Sequence, residues 1–450
     1  MFGMNPSSLD LNSAVPSGGA LVAGSFRNRL LVLIAVSVLL RIGVSFYWQS
    51  KMDAGESFRF GDSAGYWNLA ERVADGRPYQ YNSEHAKVFR TPAYPVFLSS
   101  LFRVWEQPTV LSARVFGSLL GGLTVYLIFL LGSRVFNEKT GWLSAILIAF
   151  YPGAIAVSVL VLAESLFVPL MLTQLLLMVM AWQSQRSSTF FLLAGLAGIL
   201  YGLACLTRPS WLLFVPFSLP ICLLIIEKKK KQLFMAGILC VSLIGIMAPW
   251  WIRNYQVTGH FVMTSLQTGT SLYDGWNPEA NGASDMEFAP RMKKLFKEQW
   301  LAAGNPEREL EYAFNEYMKN EALNWAKQHP GQVALLALEK LRRTWTPLPN
   351  TTEIGNTTLR WGIAVYYLPL MLFSLAGILC LRQNRLAVWI FVLPSMYYAL
   401  LHMVFVGSIR YRQPVMILLA VMGASFLATL LENRKAALPV SDGKCSQGNQ

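Results

Sequence analysis

Charge is scarce in this sequence. Only 14% of its 450 residues are Asp, Glu, Lys or Arg, against about a quarter in soluble domains. A chain this poor in charge cannot clothe a soluble surface of its size. Cysteine is scarce as well. Of five, Cys205, Cys222, Cys240 and Cys380 lie in apolar stretches and Cys445 in a polar tail. No CxxC spacing occurs, so neither a disulfide framework nor a thiolate metal site is indicated. The four histidines are scattered and make no metal pattern. There is no Walker sequence, no GxGxxG and no Asp-x-Asp, which removes the usual signatures of bound nucleotide and divalent cation. No internal repeat is present. Residues 1–26 are rich in Ser, Gly and Pro. The apolar run behind Arg27 and Arg29 is too long for the core of a cleavable signal peptide.

What the chain has is hydrocarbon: 54% of its residues are hydrophobic. They gather into runs of roughly 17–25 residues, the length that carries a helix across about 30 Å of bilayer. The expected fold class is therefore an all-α polytopic membrane protein of about ten transmembrane helices. They are placed at 30–48, 113–132, from about 142, 157–182, 190–206, 211–226, 233–250, 361–381, 386–406 and 414–431. Arg41 interrupts the first, Tyr151-Pro152-Gly153 ends or kinks the third, and Glu164 lies inside the fourth. The membrane domain is 30–431, with polar loops 49–112 and 251–359, an N-terminal segment 1–29 and a tail 432–450.

The net charge of +13 sits largely in the short loops: Arg27 and Arg29, Arg134 and Lys139, Arg186, 228–231, Arg382 and Arg385, Arg434 and Lys435. With ten helices all of these fall on one side, which the positive-inside rule makes cytoplasmic. Both termini are then cytoplasmic and both long loops face outward. A nucleic-acid partner would need an exposed basic face, which this distribution does not provide. In the second loop, Asn305-Pro306 reads as a helix start. Leu310, Phe314, Tyr317, Met318 and Trp325 follow at helical spacing, and His329-Pro330-Gly331 is a stop. Val333, Leu336, Ala337, Leu341 and Trp345 then form one face of a surface helix, with Glu339, Lys340, Arg342 and Arg343 elsewhere on it.

Chemistry concentrates between the first two helices, in 61–95, which holds Asp62, Glu71, Asp75, Glu84, His85, Lys87 and Arg90. Asp62 opens GDSAGYW, with Tyr66 one turn on. It is either a helix N-cap or a general base at the membrane face; Glu71 and Asp75 read as solvated. Lys87 and Arg90 precede TPAYP. They are interfacial anchors or a cationic clamp on a phosphate or pyrophosphate. Arg208, Arg253, Arg410 and Arg412 also stand at outward helix ends. Cations there run against the positive-inside tendency and favour an anionic ligand. Glu164 in hydrocarbon marks a functional site by default or a buried pairing, with Arg41 one possible partner. His85 and His402 are acid–base groups, ligands, or hydrogen-bonded structural residues.

Taken in order, GDSAGYW, GRPY, FRTPAYPVFL, YPG with AES, LTRP, APWWIRNY with GTSLYDGWNP, HPGQVALLALEKLRRTW and RYRQP resemble the GT-C glycosyltransferases of the bacterial protein mannosyltransferase and aminoarabinose transferase type (glycosyltransferase family 39-like). The resemblance runs over about residues 40–420. It implies a transferase that takes a sugar from a polyprenyl-phosphate donor at the outer face, with a protein, lipid or glycan as acceptor. Asp62 matches the family's first-loop catalytic aspartate, which would deprotonate an acceptor hydroxyl for in-line, inverting attack. Arg90, Lys87, Arg253, Arg410 and Arg412 become candidates for holding the lipid phosphate, and Tyr66, Glu84, His85, Glu164 and Arg208 further site candidates. No cofactor or metal is needed where fixed cations receive the leaving phosphate. Larger members carry a soluble domain after the last helix. This chain ends soon after Glu432, so acceptor recognition is expected from the outer loops. The alternative is a transporter or flippase for an anionic lipid-linked saccharide, which should place polar groups on both faces and through the bundle.

The charge asymmetry makes a topological prediction. Single cysteines at Ser83 and Glu298 should be labelled from outside, and those at Lys229 and Lys435 from inside. Outside labelling at Lys229 would overturn the orientation.

Overall fold

The computed structural model describes residues 24–52, 58, 60–105, 108–349 and 357–437; most of the expected N-terminal segment and tail lie outside them. All ten apolar runs are helical, and the chain is a multi-pass membrane protein. Eight described helices are long and apolar enough to span. Six of them are α1 (Gly24–Ser50), α4 (Val110–Val135), α7 (Glu164–Gln183), α8 (Ser187–Thr207), α10 (Lys229–Thr258) and α15 (Thr357–Leu381). The seventh is continuous from α16 (Arg385–Ala387) through a π-helical turn, Val388–Val392, into α17 (Leu393–Val404). The eighth is α18 (Ile409–Ala437). The expected third span is instead a pair, α5 (Glu138–Phe150) and α6 (Pro152–Val159), bent by 61°. The sixth is short: a 3-10 turn, Pro209–Trp211, then α9 (Phe214–Ile225).

The bend has a local cause. Pro152 has no N–H, so the carbonyl of Ile148 loses its helical partner and the helix restarts with Pro in its first turn. Arg41, fully buried on α1, covers the exposed carbonyls. Its Nη1 donates to Ala149 O at 2.9 Å, its Nη2 to Ile148 O at 3.2 Å, and its Nε to Ser158 Oγ at 3.2 Å. Arg41 is therefore not the counter-ion of Glu164. A second break follows: Leu160 is extended (φ −76°, ψ 138°) and α7 begins only at Glu164. Arg114 on α4 donates to Val159 O at 3.1 Å across this break. Glu164 thus opens a span, where the sequence pattern put it inside one. The two breaks need close backbone contact. A methyl group on Gly117 of α4 would lie 2.1 Å from Ser158 O, so only glycine fits.

The first expected outer segment contributes α2 (Gly61–Ala74) and α3 (Ala93–Val104). Tyr66, Ala70, Tyr94, Leu98 and Leu101 bury together against Ala113, Val161 and Ala163. The N-cap of α2 is Phe60, not Asp62. The helix starts earlier than the motif suggests, and Asp62 sits in its first turn with its side chain bound elsewhere. The second expected outer segment contributes α11 (Thr268–Gly275), α12 (Phe288–Ala302), α13 (Leu310–Gln328) and α14 (Pro330–Trp345). Helix does not begin at Asn305-Pro306: Pro306 is extended, a 3-10 turn covers Glu307–Glu309, and α13 follows. α10 runs two turns past Trp250 and closes at Gly259 with φ +79°, which places Arg253 on a helix. On α14, Leu335 and Leu338 are exposed while Lys340, expected on the polar face, is buried. Its Nζ donates to Gly275 O at 2.9 Å and Val404 O at 2.8 Å. These are the carbonyl ends of α11 and α17, where a cation is electrostatically favoured.

The short basic loops gather at one end of the bundle. Lys139 Nζ meets Ala428 O at 2.9 Å and Glu432 at 3.2 Å, Lys231 Nζ meets Ser184 O at 3.0 Å, and Arg385 pairs with Glu227 at 2.9 Å. The starts of α7 and α18 and the end of α8 lie at the other end.

Replacing Arg41 with Leu should lower the thermal unfolding midpoint in detergent, because each orphaned buried carbonyl costs about 1–3 kcal/mol. An unchanged or higher midpoint would mean that removing the buried charge outweighs the lost caps.

Candidate active site

At that other end, five charged side chains from five elements form one alternating line: Arg90, Asp62, Arg410, Glu164, Arg208. Arg90 Nη2 pairs with Asp62 Oδ1. Arg410 Nη1 donates to Asp62 Oδ2 at 2.9 Å, while its Nη2 reaches Glu164 Oε2 at 3.1 Å and its Nε reaches Glu164 Oε1. Arg208 Nη1 closes the line on Glu164 Oε1. Each charge is placed by a helix end or a loop: α2's first turn, the loop before α3, α7's first residue, the residue after α8, and α18's first turn. Three cations face two anions. The Glu164 side chain is 2% exposed and that of Asp62 31%, so the line is closed at Glu164 and open at Asp62.

Burial pushes the Asp62 carboxyl up, but Arg90 and Arg410 pull it down further, and it is held well below the usual carboxylate range. It is ionised at neutral pH with both oxygens occupied. Aromatic rings and an amide fix the cations. Arg90 lies 5.3 Å over Tyr66 and 5.2 Å over Tyr81, and its Nη1 donates to Gln267 Oε1 at 2.7 Å. Tyr66 packs edge-on to Tyr94 at 5.0 Å. Tyr81 approaches so near α2 that a Cβ on Gly65 would overlap its ring at 2.2 Å. Tyr411 supports Arg208 and Arg410 at 5.7 and 5.9 Å, and His402 stacks on Tyr411 at 4.2 Å with its Nδ1 3.1 Å from Val406 O.

Of the residues singled out from sequence, Asp62, Tyr66, Arg90, Glu164, Arg208 and Arg410 come together here. The others do not join the line. The Lys87 side chain is exposed, and only its backbone N–H is engaged, 2.8 Å from Glu311 Oε2. Glu84 is exposed, and its carbonyl accepts from Gln80. His85 joins the two outer segments, with Nδ1 3.2 Å from Glu307 and Nε2 2.8 Å from Lys297. Arg253 lies over Tyr79 at 5.3 Å and Trp250 at 4.7 Å; Tyr79 in turn donates to Arg90 O at 3.2 Å. Arg412 is buried over Tyr367 at 3.8 Å and donates to Thr344 O at 3.0 Å and to Thr346 O, so it ties α18 to α14. Gln267, Tyr81 and Glu311 were not singled out. Each lies in a polar stretch with no local pattern, and only the fold gives it a role.

Residues 89–252 match the family model described as dolichyl-phosphate-mannose-protein mannosyltransferase. That stretch includes Arg90, Glu164 and Arg208 but neither Asp62 nor Arg410. Among solved structures, the chain is similar to the oligosaccharyltransferase AglB from Archaeoglobus fulgidus in complex with an inhibitory peptide and a dolichol-phosphate. The TM-score is 0.54 at 15% identity, over 92% of this chain and 52% of that one. The apo form of the same enzyme gives 0.55 at 15%, over 91% and 52%. ArnT from Cupriavidus metallidurans bound to undecaprenyl phosphate gives 0.45 at 16%, over 90% and 79%. The chain spans about half the length of the archaeal enzyme. No curated protein matches its sequence. The fold is the GT-C membrane fold, and the resemblance drawn from the motifs holds at that level.

Glu164 is the buried counter-charge of two arginines. Glu164→Gln should therefore lower the thermal midpoint by the equivalent of about 3–5 kcal/mol, the usual cost of breaking a buried pair. The same change in an Arg208→Met background should cost clearly less. Equal costs in both backgrounds would show that Arg208 and Glu164 are not coupled.

Proposed function

We propose that this protein is a metal-independent, inverting glycosyltransferase of the cell membrane. It moves a sugar from a polyprenyl-phosphate donor to an acceptor hydroxyl on the outer face. The observation that carries the reading is Asp62 held between Arg90 and Arg410 at the open end of a charged line with one positive charge in excess. A general base and a pair of phosphate-binding guanidiniums are needed side by side for this reaction, and this is the one place among the described residues where they meet. The matched family is described by its dolichyl-phosphate-mannose donor, and a structure of the same fold was solved with dolichol-phosphate. Both support a lipid-phosphate donor.

The chemistry follows from the pairing. With the site empty, the arginines occupy both Asp62 oxygens, and a carboxylate so engaged is a weak base. A phosphate diester at the membrane rim competes for the same N–H groups. As Arg90 and Arg410 turn to the phosphate, Asp62 regains a lone pair and basicity. The acceptor hydroxyl then gives its proton to Asp62 while its oxygen attacks the anomeric carbon. The bond from that carbon to the phosphate oxygen breaks, and the electron pair leaves with the lipid phosphate, whose charge the guanidiniums receive. Glu164, locked between Arg208 and Arg410, keeps Arg410 charged and aimed and is not the base. The outward orientation and cytoplasmic termini rest on the basic loops at the opposite end. The acceptor, whether protein, lipid or glycan, reaches Asp62 from the side of the outer segments. Arg41, deeper in the bundle, and Arg114, near the site end of α4, are both bound to backbone carbonyls. They do not line a path, which favours a transferase over a flippase.

Purified wild type, Asp62→Asn and Arg90→Ala should be compared in detergent with a labelled polyprenyl-phosphate sugar and a membrane extract as acceptor. Asp62→Asn should lower transfer per folded molecule by about 10²–10⁴-fold, the range for a lost general base. Arg90→Ala should lose about 2–4 kcal/mol of transition-state stabilisation, as for one preorganised donor. Full activity in the amide variant would remove Asp62 from the mechanism, and unchanged turnover in Arg90→Ala would remove Arg90.

A further inference from the structure

Glu311, in the first turn of α13, lies outside the charged line, yet its carboxylate is not directed at solvent. It accepts the backbone N–H of Lys87 at 2.8 Å and that of Val88 at 3.0 and 3.1 Å. The two partners stand more than 220 positions away in sequence, with separations of 224 and 223 residues. The backbone so gripped is the loop that delivers Arg90, two residues beyond Val88. The rest of the loop is pinned from other sides. Leu266 N–H donates to Val88 O at 3.0 Å, and Tyr79 Oη donates to the carbonyls of Arg90 and Thr91 at 3.2 and 3.1 Å. The Val88 side chain is fully buried beneath the grip. A carboxyl group receiving two adjacent backbone amides fixes the peptide plane between them, a tighter constraint than a single hydrogen bond gives.

We propose that Glu311 is a positioning residue for the lipid-phosphate donor: it fixes the backbone at 87–88 and so aims Arg90 at the phosphate and at Asp62. This rests on the reading of Arg90 as a phosphate ligand. The groups facing Glu311 are Lys293 of α12, Arg253 of α10 and the amides of the loop itself; His85, Glu307 and Lys297 lie along the same seam. Burial pushes the carboxyl up, and the amides, Lys293 and Arg253 pull it back only in part, leaving it at about 7. The ordinary glutamate value is 4.5. Docking therefore favours the protonated acid. The buried docking of this side chain is at full stability below the ordinary value and loses stability as pH rises through about 7, because the charge formed there is desolvated by more than the amides and cations recover. A glutamine at this position mimics the protonated group, keeps a carbonyl acceptor, and removes the titration.

The test compares purified full-length wild type, Glu311→Leu and Glu311→Gln in detergent. Two readouts are used: hydrogen exchange of the segment 79–91, corrected for intrinsic rate, and binding of undecaprenyl phosphate. Glu311→Leu should speed exchange at the 87 and 88 amides and weaken lipid-phosphate binding, each by about tenfold or more. Glu311→Gln should stay close to wild type in both and lose the loosening that wild type shows between pH 6 and 8. Should Glu311→Leu fail to fold, Glu311→Asp, one methylene short of the amides, should loosen the segment in the same way. Unchanged exchange in Glu311→Leu or Glu311→Asp, or a glutamine variant as damaged as the leucine one, overturns the proposal and leaves the role of Arg90 intact. A wild type that binds no lipid phosphate overturns both.

Discussion

One guanidinium joins the halves of the site. Arg410 divides its donors between Asp62, on the first outer segment, and Glu164, at the head of a membrane helix. Each carboxylate also has an arginine of its own, Arg90 for Asp62 and Arg208 for Glu164, and the shared cation links the two pairs into one line. Arg410 can serve both because α18 starts where it does. Arg412, two residues on, anchors that turn to the end of α14, and Lys340 of α14 anchors the end of α17 just before it. Two further cations, whose hydrogen bonds go to carbonyls, thus hold the third in place.

The broken spans serve the same end. A continuous helix through 157–182 would have carried Glu164 into the bundle; the breaks at Pro152 and Leu160 make it the first residue of α7. Such breaks are tolerated at membrane depth only where protein satisfies the freed backbone. Arg41 and Arg114 do that, and Gly117 lets the backbones come close enough. The irregularity in the membrane and the regularity of the charged line are two sides of one arrangement.

Much of this was legible in the sequence. Run length and hydropathy located all ten apolar segments, because hydrocarbon imposes its length on any helix that crosses it. The five charged residues of the line were each named, because a charge beside a helix end or in an apolar run is anomalous wherever it occurs, and Tyr66 was named for its place one turn after Asp62. Their pairing was not legible. Arg41 was named as one possible partner for Glu164, whose partners are Arg208 and Arg410. Partner choice depends on which helix ends share a level, and no local pattern encodes that. Arg412 was grouped with the site for its neighbour's reasons, although its own carbonyl partners lie on another helix. Lys340 was assigned to a polar face by periodicity, which does not register a carbonyl end arriving from elsewhere in the chain. Glu311 looked like any exposed glutamate at the start of a helix.

The unequal closure of the two ends of the charged line also fixes how the protein senses its surroundings. Dissolved ions screen charges they can approach, over about 8–10 Å at physiological strength, and hardly affect charges sealed from water. Glu164 is sealed and Asp62 is not. Added salt therefore weakens the pairing at the Asp62 end of the line and hardly touches the pairing at Glu164. Ionic strength loosens the open end of the line and leaves its buried end standing.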